Sequence, residues 1–235
     1  VRIAQHNLTV HSEVAYPVYE SIYDRHGKNM LRSEPHKLSS VVVLGTGAFS
    51  RRNYSDLFDT VHQIANTNNT NIKLTLLGNG VADLPVPKSI QRRVVLKDGL
   101  PFDGFYQQIA KADIVAAYVS DFKMYTENKA TSAVPTALMF GVPVILPAQM
   151  LDLYSCLRDA KMHRKISRAS NSESLIAAFG LTTEEYRQLT AEARACKNQW
   201  QQETQTLFRE MTNPAPVIPV TVQLKQEAGQ LRLPF

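Results

Sequence analysis

The sequence predicts an α/β fold in which a parallel β-sheet is flanked by helices. Between residues 41 and 146, short apolar segments alternate with helical repeats and polar loops. Wholly apolar segments are typical of strands that are covered on both faces, as they are in parallel sheets. The order of strand, helix, strand, loop, strand, helix, strand, helix and strand is that of such a sheet wrapped by helices. A long amphipathic helix and a proline-containing tail follow.

The individual elements are placed by their apolar residues and their boundary signals. Strands are predicted at residues 41–44, 72–77, 94–96, 114–119 and 142–146. Helices are predicted near residues 57–65, 103–112 and 132–141, and again at 151–160 and 172–179. Pro135 suits the first turn of its helix, and Gly141 suits the end of the same helix.

The last helix has the clearest start signal in the chain. Thr182 and Glu185 have the spacing of a capping box, and Leu181 with Tyr186 has the spacing of a hydrophobic staple. Apolar residues then recur every three or four positions from Tyr186 to Trp200. One repeat is missing before the last of them, Leu207. This pattern predicts a long helix that lies across a neighbouring element.

Three regions of the chain are distinguished. Residues 1–40 form a lead segment, either a remnant of an N-terminal domain or a linker from one. Residues 41–212 form the α/β domain, and residues 213–235 form a C-terminal tail.

Composition favours a globular protein with a small anionic ligand. The chain has 235 residues, 44% of them hydrophobic, and a net charge of +5. Its basic residues are scattered, with clusters only at Arg51 and Arg52, at Arg92 and Arg93, and at 161–168, so nucleic-acid binding is disfavoured relative to a phosphorylated small molecule. No apolar run approaches the about 18–20 residues of a membrane span. A cytoplasmic location is favoured, or the secretory pathway if the natural chain is longer.

The cysteines and histidines offer no pattern of their own. Cys156 and Cys196 are far apart in sequence, which predicts neither a disulfide framework nor a metal site. The six histidines are dispersed, and no metal-binding spacing is present.

Ligands of parallel α/β sheets bind beyond the carboxyl ends of the strands. Three predicted loops share that edge, at residues 45–54, 78–81 and 120–132, and they are rich in Gly, Asn, Thr, Ser, Lys and Arg. In the third loop, Lys129, Thr131 and Ser132 lead into the start of a helix, where amides, hydroxyls and an ammonium group suit phosphate. The alternative is an ordinary Ser/Thr helix cap beside a solvated lysine. Tyr125 is either an exposed loop residue or a stacking partner for a base or sugar.

A dinucleotide site is a weaker interpretation. Gly45 and Gly47 begin a glycine fingerprint, but Ser50 occupies the third glycine position. The second strand ends in Gly78-Asn-Gly80 instead of the acidic residue that would bind a ribose. A Rossmann-like oxidoreductase is therefore retained only as a third hypothesis.

The order of four segments resembles the C-terminal, nucleotide-sugar-binding domain of GT-B glycosyltransferases, which have two facing Rossmann-like domains. The segments are residues 41–47, 74–80, 100–106 with 112–114, and 129–144, and the resemblance covers about residues 41–212. The last is the most specific, because it has the family's sequence of small residues, helix, Gly-x-Pro and strand.

The resemblance implies a site for a nucleotide-diphosphate sugar. It places Gly45, Thr46, Arg51 and Arg52 near the donor phosphates and sugar, together with Gly78. It places Thr131 and Ser132 at the diphosphate, with Lys129 supplying charge. Leu100 would lie near the base and Thr136 near the ribose.

The resemblance also implies what accompanies the donor. Such enzymes usually need neither a metal nor a further cofactor, since amides and basic side chains hold the leaving diphosphate. The acceptor, a saccharide, protein or lipid, would be held by an N-terminal domain or a partner subunit. No catalytic residue is assigned.

One departure from the family pattern keeps a second hypothesis open. Many members have two glutamates separated by seven residues, and here Asn128 and Thr136 occupy those positions. The first hypothesis is therefore the donor-binding domain of a glycosyltransferase. The alternative is a non-catalytic Rossmann-like module that serves as an interaction or scaffold domain.

Overall fold

A parallel sheet is the centre of the molecule. The computed structural model describes residues 37–48, 52–67, 71–120, 123, 125 and 131–212, the side chains of 207, 208 and 210–212 excepted. Within these residues the strands are β1 Ser40–Leu44, β2 Lys73–Gly78, β3 Val94–Asp98, β4 Ile114–Ala116 and β5 Val144–Ile145. They form one five-stranded sheet in the order β3-β2-β1-β4-β5. The lead segment to residue 36 and the tail from residue 213 lie outside the described part, so the division into three regions stays a prediction.

Every pairing in this sheet is parallel. Val41 of β1 pairs with Leu74 on one side and with Ile114 on the other, so β1 is the central strand. The pairings of β2 with β3 and of β4 with β5 complete the sheet. The predicted α/β fold with a parallel sheet is therefore confirmed.

Helices connect the strands and cover both faces. Their bounds are α1 Tyr54–Thr67, α2 Phe102–Ala110, α3 Ala133–Met139, α4 Ala148–Leu151, α5 Ser155–Arg158, α6 Lys161–Ile166, α7 Asn171–Phe179 and α8 Thr183–Thr212. A single 3-10 turn, Gln91–Arg93, precedes β3. Gly141 has φ +64 just after α3, the left-handed conformation that the sequence predicted for the end of this helix.

Two apolar cores lie on the two faces of the sheet. Val41 and Val43 belong to one core, and Val42 and Leu44 belong to the other. Successive strand residues point to opposite faces of the sheet. Since a core covers each face, the side chains on both faces are buried. This explains why the strands are continuous apolar runs instead of alternating ones.

The long helix α8 contributes to both cores. Tyr186 and Leu189 pack in the first core, whereas Ala193 and Cys196 pack in the second. Its start has the predicted capping box: the amide of Glu185 donates to the Thr182 hydroxyl at 3.2 Å, and the Thr182 amide donates to the Glu185 carboxylate at 2.9 Å. The predicted long C-terminal helix is confirmed.

The prediction of a single helix at 151–160 was wrong. Two four-residue helices, α4 and α5, replace it, and the chain between them turns at Tyr154, which is extended (φ −113, ψ 100) and 1% exposed. Burial of this ring in the second core interrupts a segment whose local pattern is helical.

Helix α6 was not predicted, although its residues form the basic cluster noted at 161–168. Glu192 of α8 accepts hydrogen bonds from the amides of Met162 (2.8 Å) and His163 (3.1 Å), at the start of α6. The partner that completes this helix start comes from 30 residues away, so no local signal announces it. Burial alone would raise the pKa of Glu192, but hydrogen bonds from the His163 ring and from these two amides lower it below its ordinary value.

Two other predictions need correction. Strand β4 ends at Ala116 instead of Val119, although residues 117–119 remain buried. Cys156 on α5 and Cys196 on α8 form a disulfide with a Cα–Cα distance of 5.1 Å. Their separation of 40 residues in sequence concealed a proximity that only the packing of α5 against α8 produces.

In the part of the chain that the structure describes, no helix has both the length and the apolar character to cross a membrane.

Candidate functional site

The topology places one crevice at the carboxyl edge of the sheet. From β1 the chain moves outward on one side to β2 and β3, and it then returns to the other side of β1 to form β4 and β5. The connections leaving β1 and β4 therefore diverge, which makes the space between them the topological switch point. In open α/β sheets this is where ligands bind.

Two glycine-rich loops form one wall of this edge. The amide of Gly45 donates to the carbonyl of Leu77 at 3.0 Å, and the amide of Gly47 donates to the carbonyl of Asn79 at 2.8 Å. These bonds extend the pairing of β1 and β2 beyond the strands. A Cβ atom on Gly78 would lie 1.7 Å from the carbonyl oxygen of Gly45. The two loops therefore approach as closely as glycine alone permits.

A second contact of the same kind fixes the tips of the loops. A Cβ atom on Gly47 would lie 1.8 Å from the carbonyl oxygen of Gly80. Asp98, the last residue of β3, accepts hydrogen bonds from the amides of Gly80 (3.0 Å) and Ala82 (3.3 Å). The sequence analysis missed Asp98, because its partners lie 16 and 18 residues away.

Two side chains that follow β1 support the first loop from behind. Arg52 is 7% exposed, and its Nη2 donates to the carbonyl of Leu44 at 2.9 Å. The hydroxyl of Tyr54 donates to the carbonyl of Thr46 at 2.6 Å. Burial raises the pKa of Tyr54, and the Arg52 charge opposes this shift. The loop backbone is thus held by side chains, while Thr46 itself is exposed.

The start of α3 forms the opposite side of the crevice. Thr131 is 3% exposed, and its hydroxyl accepts a hydrogen bond from the amide of Ala133 at 3.3 Å. Ser132 is exposed, and its side chain makes no capping hydrogen bond to the helix. The simple capping role therefore applies to Thr131 and not to Ser132.

Thr136 lies one turn further into α3. It is 9% exposed, and its hydroxyl donates to the carbonyl of Ser132 at 2.7 Å. A threonine that bonds to the carbonyl four residues earlier satisfies its donor within the helix.

A partly buried polar network joins α1, the segment after β4 and α7. The carboxylate of Asp56 accepts hydrogen bonds from the hydroxyls of Tyr118 and Ser172, and these two hydroxyls lie 2.8 Å apart. Burial and the Asp56 contact raise the pKa of Tyr118. The Asn171 side chain donates to the carbonyl of Val119 at 2.7 Å. The network fixes the segment that leaves β4.

The sequence did contain a signal for part of this network. Ser170 and Glu173 form a capping box at the start of α7, and both hydrogen bonds of that box are present. The spacing S-x-x-E would have placed Asn171 and Ser172 in the first turn of a helix.

An exposed aromatic side chain lies beyond β3 at the same edge. Phe102 is 79% exposed, the only large apolar side chain among the described residues that is exposed to this degree. Its ring is 6.2 Å from that of Tyr106, with an interplanar angle of 19°. Leu100 precedes it and is partly buried against the second core. Tyr125, by contrast, is 6% exposed and lies in that core, so the alternative of an exposed loop tyrosine was wrong.

The structure thus places the described candidate residues at one edge of the sheet. The connections after β1 and β3 carry Gly45, Thr46, Arg52 and Leu100, and Gly78 is the last residue of β2. The connection from β4 to β5 carries Thr131, Ser132 and Thr136. Arg51 and Lys129 lie outside the described residues. The roles assigned to all of these residues stay predictions.

Among the described residues, no cluster of three or more His, Cys, Asp or Glu side chains has an arrangement that could hold a metal ion.

Sequence comparison yields no relative. No family model matches the chain. No curated protein matches it either.

Solved structures share its fold. The trehalose-6-phosphate synthase OtsA superimposes with a TM-score of 0.50 at 8% identity, covering 82% of this chain and 49% of OtsA. T4 phage β-glucosyltransferase (TM-score 0.46, 15% identity) is covered to 52%, with 76% of this chain aligned. S. aureus TarM, solved in complex with fondaparinux, alpha-GlcNAc-glycerol and UDP, has a TM-score of 0.45 at 14% identity, with 78% of this chain and 37% of TarM covered.

These neighbours are GT-B glycosyltransferases. At such low identity the superposition on OtsA establishes the fold alone, which is an α/β Rossmann-like fold. The chain spans between 37% and 52% of the length of these structures.

Proposed function

We propose that this chain is the donor-binding domain of a glycosyltransferase that transfers a sugar from a nucleotide-diphosphate sugar to an acceptor. The observation that carries the proposal is the convergence, at the topological switch point, of the glycine-rich connections after β1 and β2 with the start of α3. Ligands of open α/β sheets bind at this place.

The chemistry of the crevice suits a diphosphate. Gly45 and Gly47 let the loop backbone pack directly against Arg52 and Gly80, which holds the loop in one shape beside the ligand. The exposed hydroxyls of Thr46 and Ser132 can donate to phosphate oxygens from the two sides. Arg51 and Lys129 are proposed to supply positive charge, and Arg52 to contribute from behind the loop.

Phe102 extends this proposal to the nucleobase. An apolar ring that is 79% exposed at the carboxyl edge, beside Leu100, offers a surface on which a base can stack. The sequence assigned Leu100 to the vicinity of the base, and Phe102 is the better placed of the two because Leu100 is partly buried.

The leaving diphosphate is proposed to be stabilised by the protein itself. Amides, hydroxyls and basic side chains that point to the developing charge lower the barrier for its departure. In this proposal the nucleotide sugar is a substrate, and neither a metal ion nor a further cofactor is used.

The acceptor is proposed to bind elsewhere. The chain corresponds to about half the length of OtsA and of the phage glucosyltransferase. We place the acceptor site, and the residue that activates the acceptor, on an N-terminal domain or a partner subunit. The isolated chain should then bind nucleotide and transfer little or no sugar.

Calorimetric titration of the chain with UDP, GDP and ADP tests the proposal. We expect saturable binding of at least one of them. Ser132→Ala should weaken that binding by about 1–3 kcal/mol, the usual scale for a hydrogen bond to a charged group. Thr206→Ala, which removes an exposed hydroxyl from the far part of α8, should leave the affinity unchanged. Absence of binding to all three nucleotides would refute the proposal.

A second candidate function is supported by Thr136. Its hydroxyl is used inside α3, so it does not offer the ribose the carboxylate that many GT-B enzymes have. This favours a non-catalytic module that docks a partner protein. Capture of one stable partner, combined with no nucleotide binding at millimolar concentration, would select this function over the first.

A further inference from the structure

The amino edge of the sheet, opposite the crevice, is strongly basic. Four neighbouring strands are each preceded or begun by cationic residues: Arg92 and Arg93 before β3, Lys73 in β2, Lys37 before β1 and Lys111 before β4. Asp113 is the only acidic residue in the segments 37–40, 71–73, 88–93 and 110–114. It is 1% exposed, and its carboxylate accepts hydrogen bonds from the amides of Ser39 and Ser40. The exposed charge of these four segments is therefore positive.

One part of this edge is concave. A cavity of about 700 Å³ lies beside the start of β3, and its lining residues are Asn71, Lys88, Ser89, Gln91, Arg92 and Arg93. Three of the six are cationic, the others can donate hydrogen bonds, and none is acidic. We call this cavity the basic cavity.

The backbone of the basic cavity is well anchored. Ile90 is 1% exposed and belongs to the first core. Its amide donates to the carbonyl of Pro87 at 3.1 Å, and its carbonyl accepts from the amide of Arg93 at 2.8 Å. Lys88 and Arg92 thus extend from a segment held by a buried residue, and both are exposed.

The composition of the cavity indicates the class of its ligand. Cations together with neutral donors suit an anion with several acceptor oxygens, of which phosphate is the best example. Its volume lies within the range of about 300–1,000 Å³ that is typical of sites for small molecules. A flat, continuous charge pattern would be expected for a membrane surface, whereas a cavity suits a compact ligand.

We propose that the basic cavity binds a small soluble molecule carrying phosphate, at a site separate from the crevice. The two sites lie at opposite edges of the sheet, so occupation of one leaves the other accessible. The function proposed for the crevice is not needed for this site.

Titration of the ¹⁵N-labelled chain with inorganic pyrophosphate tests the proposal. We expect saturable shifts of the amide signals of Asn71 and of residues 89–93. Shifts confined to the loops of the crevice would place the anion there only and would overturn the proposal, and so would shifts that grow linearly without saturation.

Charge-matched variants distinguish binding of pyrophosphate in the basic cavity from nonspecific electrostatic attraction to the basic edge. The double variant Lys88→Gln/Arg92→Gln should raise the Kd for pyrophosphate, followed by the amide signals of residues 89–93, about tenfold or more, because two charge-assisted hydrogen bonds are lost. Lys37→Gln/Lys111→Gln removes the same charge from the same edge but outside the cavity, and it should change the Kd by less than about threefold, because distant exposed charges are screened. Equal weakening by both pairs would overturn the proposal.

A sedimentation experiment with lipid vesicles distinguishes a soluble phosphate-bearing ligand from a lipid headgroup. Phosphatidylcholine vesicles containing phosphatidic acid are sedimented with the chain and with both double variants. Binding to pyrophosphate that depends on Lys88 and Arg92 supports the proposal, with or without vesicle binding. Binding to these vesicles without any binding to pyrophosphate would overturn it.

Discussion

At the scale of single residues, the glycines of the crevice are under the strictest steric demand. A Cβ atom on Gly78 would be 1.7 Å from the carbonyl oxygen of Gly45. Because that neighbour is backbone, Gly78→Ala must displace a whole loop, and we expect it to lower the free energy of unfolding by about 1–3 kcal/mol. Urea denaturation measures the loss.

Gly104 provides the matched control. A Cβ atom there would lie 3.9 Å from Leu100, which is ordinary contact, and the residue is inside α2. Gly104→Ala should therefore raise the free energy of unfolding by up to about 1 kcal/mol, since alanine is the better helix former. A Gly78 variant that is as stable as the Gly104 variant would show that the loops are not in contact.

Phe102 permits a residue-scale test of base stacking. Phe102→Ala should weaken nucleotide binding by about 1–3 kcal/mol, the scale of stacking a base on an aromatic ring. Phe102→Tyr keeps the ring and should retain the affinity. Because the side chain is 79% exposed, neither change should alter the melting temperature appreciably. Equal affinities of the Ala and Tyr variants, measured by calorimetry, would remove Phe102 from the site.

Residue-scale predictions from the sequence succeeded where a single local rule decides. Gly141 was placed at the end of α3 because only a left-handed residue suits that position. The burial of Tyr125 and the use of Thr136 inside α3 depend on packing and side-chain geometry, which the order of amino acids does not display.

At the scale of elements, Glu185 joins the start of α8 to α6. A hydrogen bond from Lys165, followed by those from the Thr182 amide and hydroxyl, lowers the pKa of this carboxyl to about 2 from an ordinary value of 4.5. Since the pKa is depressed in the folded protein, the stabilisation is complete above about pH 4.5 and is lost as the pH falls towards 2.

A pH series of urea denaturation tests this link. Glu185→Gln should be less stable than the parent chain at neutral pH, and the difference should shrink as the pH falls below 4.5. Glu203→Gln alters an exposed carboxyl later on the same helix and should leave the denaturation midpoint nearly unchanged. A difference for Glu185→Gln that is constant with pH would exclude the proposed link.

Elements with complete local signals were the ones predicted correctly. The capping box of Thr182 and Glu185 identified the start of α8 because both partners are three residues apart. Helix α6 has its partner in Glu192 on another helix, and the break at Tyr154 is caused by burial. Neither cause is visible within a window of the sequence.

At the scale of the whole molecule, the disulfide between Cys156 and Cys196 fastens α8 to the body. The bond closes a loop with a separation of 40 residues, and loss of such a cross-link costs about 4 kcal/mol in the chain-entropy description. Reduction, or Cys156→Ser, should lower the free energy of unfolding by roughly this amount. Under reducing conditions, parent and variant should become nearly equal.

Counting free thiols in the denatured protein before and after reduction checks the bond directly. Two thiols without reduction would contradict it. Because disulfides persist in oxidising compartments, the same count on protein from its natural source also tests the expected cytoplasmic location.

The fold as a whole was predictable because one pattern repeats along the chain. Apolar runs such as 41–44 and 72–77 require a sheet covered on both faces, and the alternation with helices makes it parallel. The position of the crevice followed from the same rule, since Gly45 and Ser132 lie on connections at the carboxyl edge and Gly78 ends β2 there. The roles of Asp98, Asp56 and Phe102 in the structure could not be predicted from the sequence, because each depends on contacts or exposure set by distant segments.

The paired glycine contacts have a consequence for the thermodynamics of association. Backbone hydrogen bonds and close glycine contacts join the loops after β1 and β2, so neither loop can move without the other. A ligand arriving at Thr46 would meet a surface that is already ordered, and little conformational entropy would be lost there on complex formation. Any adjustment to different ligands would then occur on the opposite side of the crevice, at the start of α3.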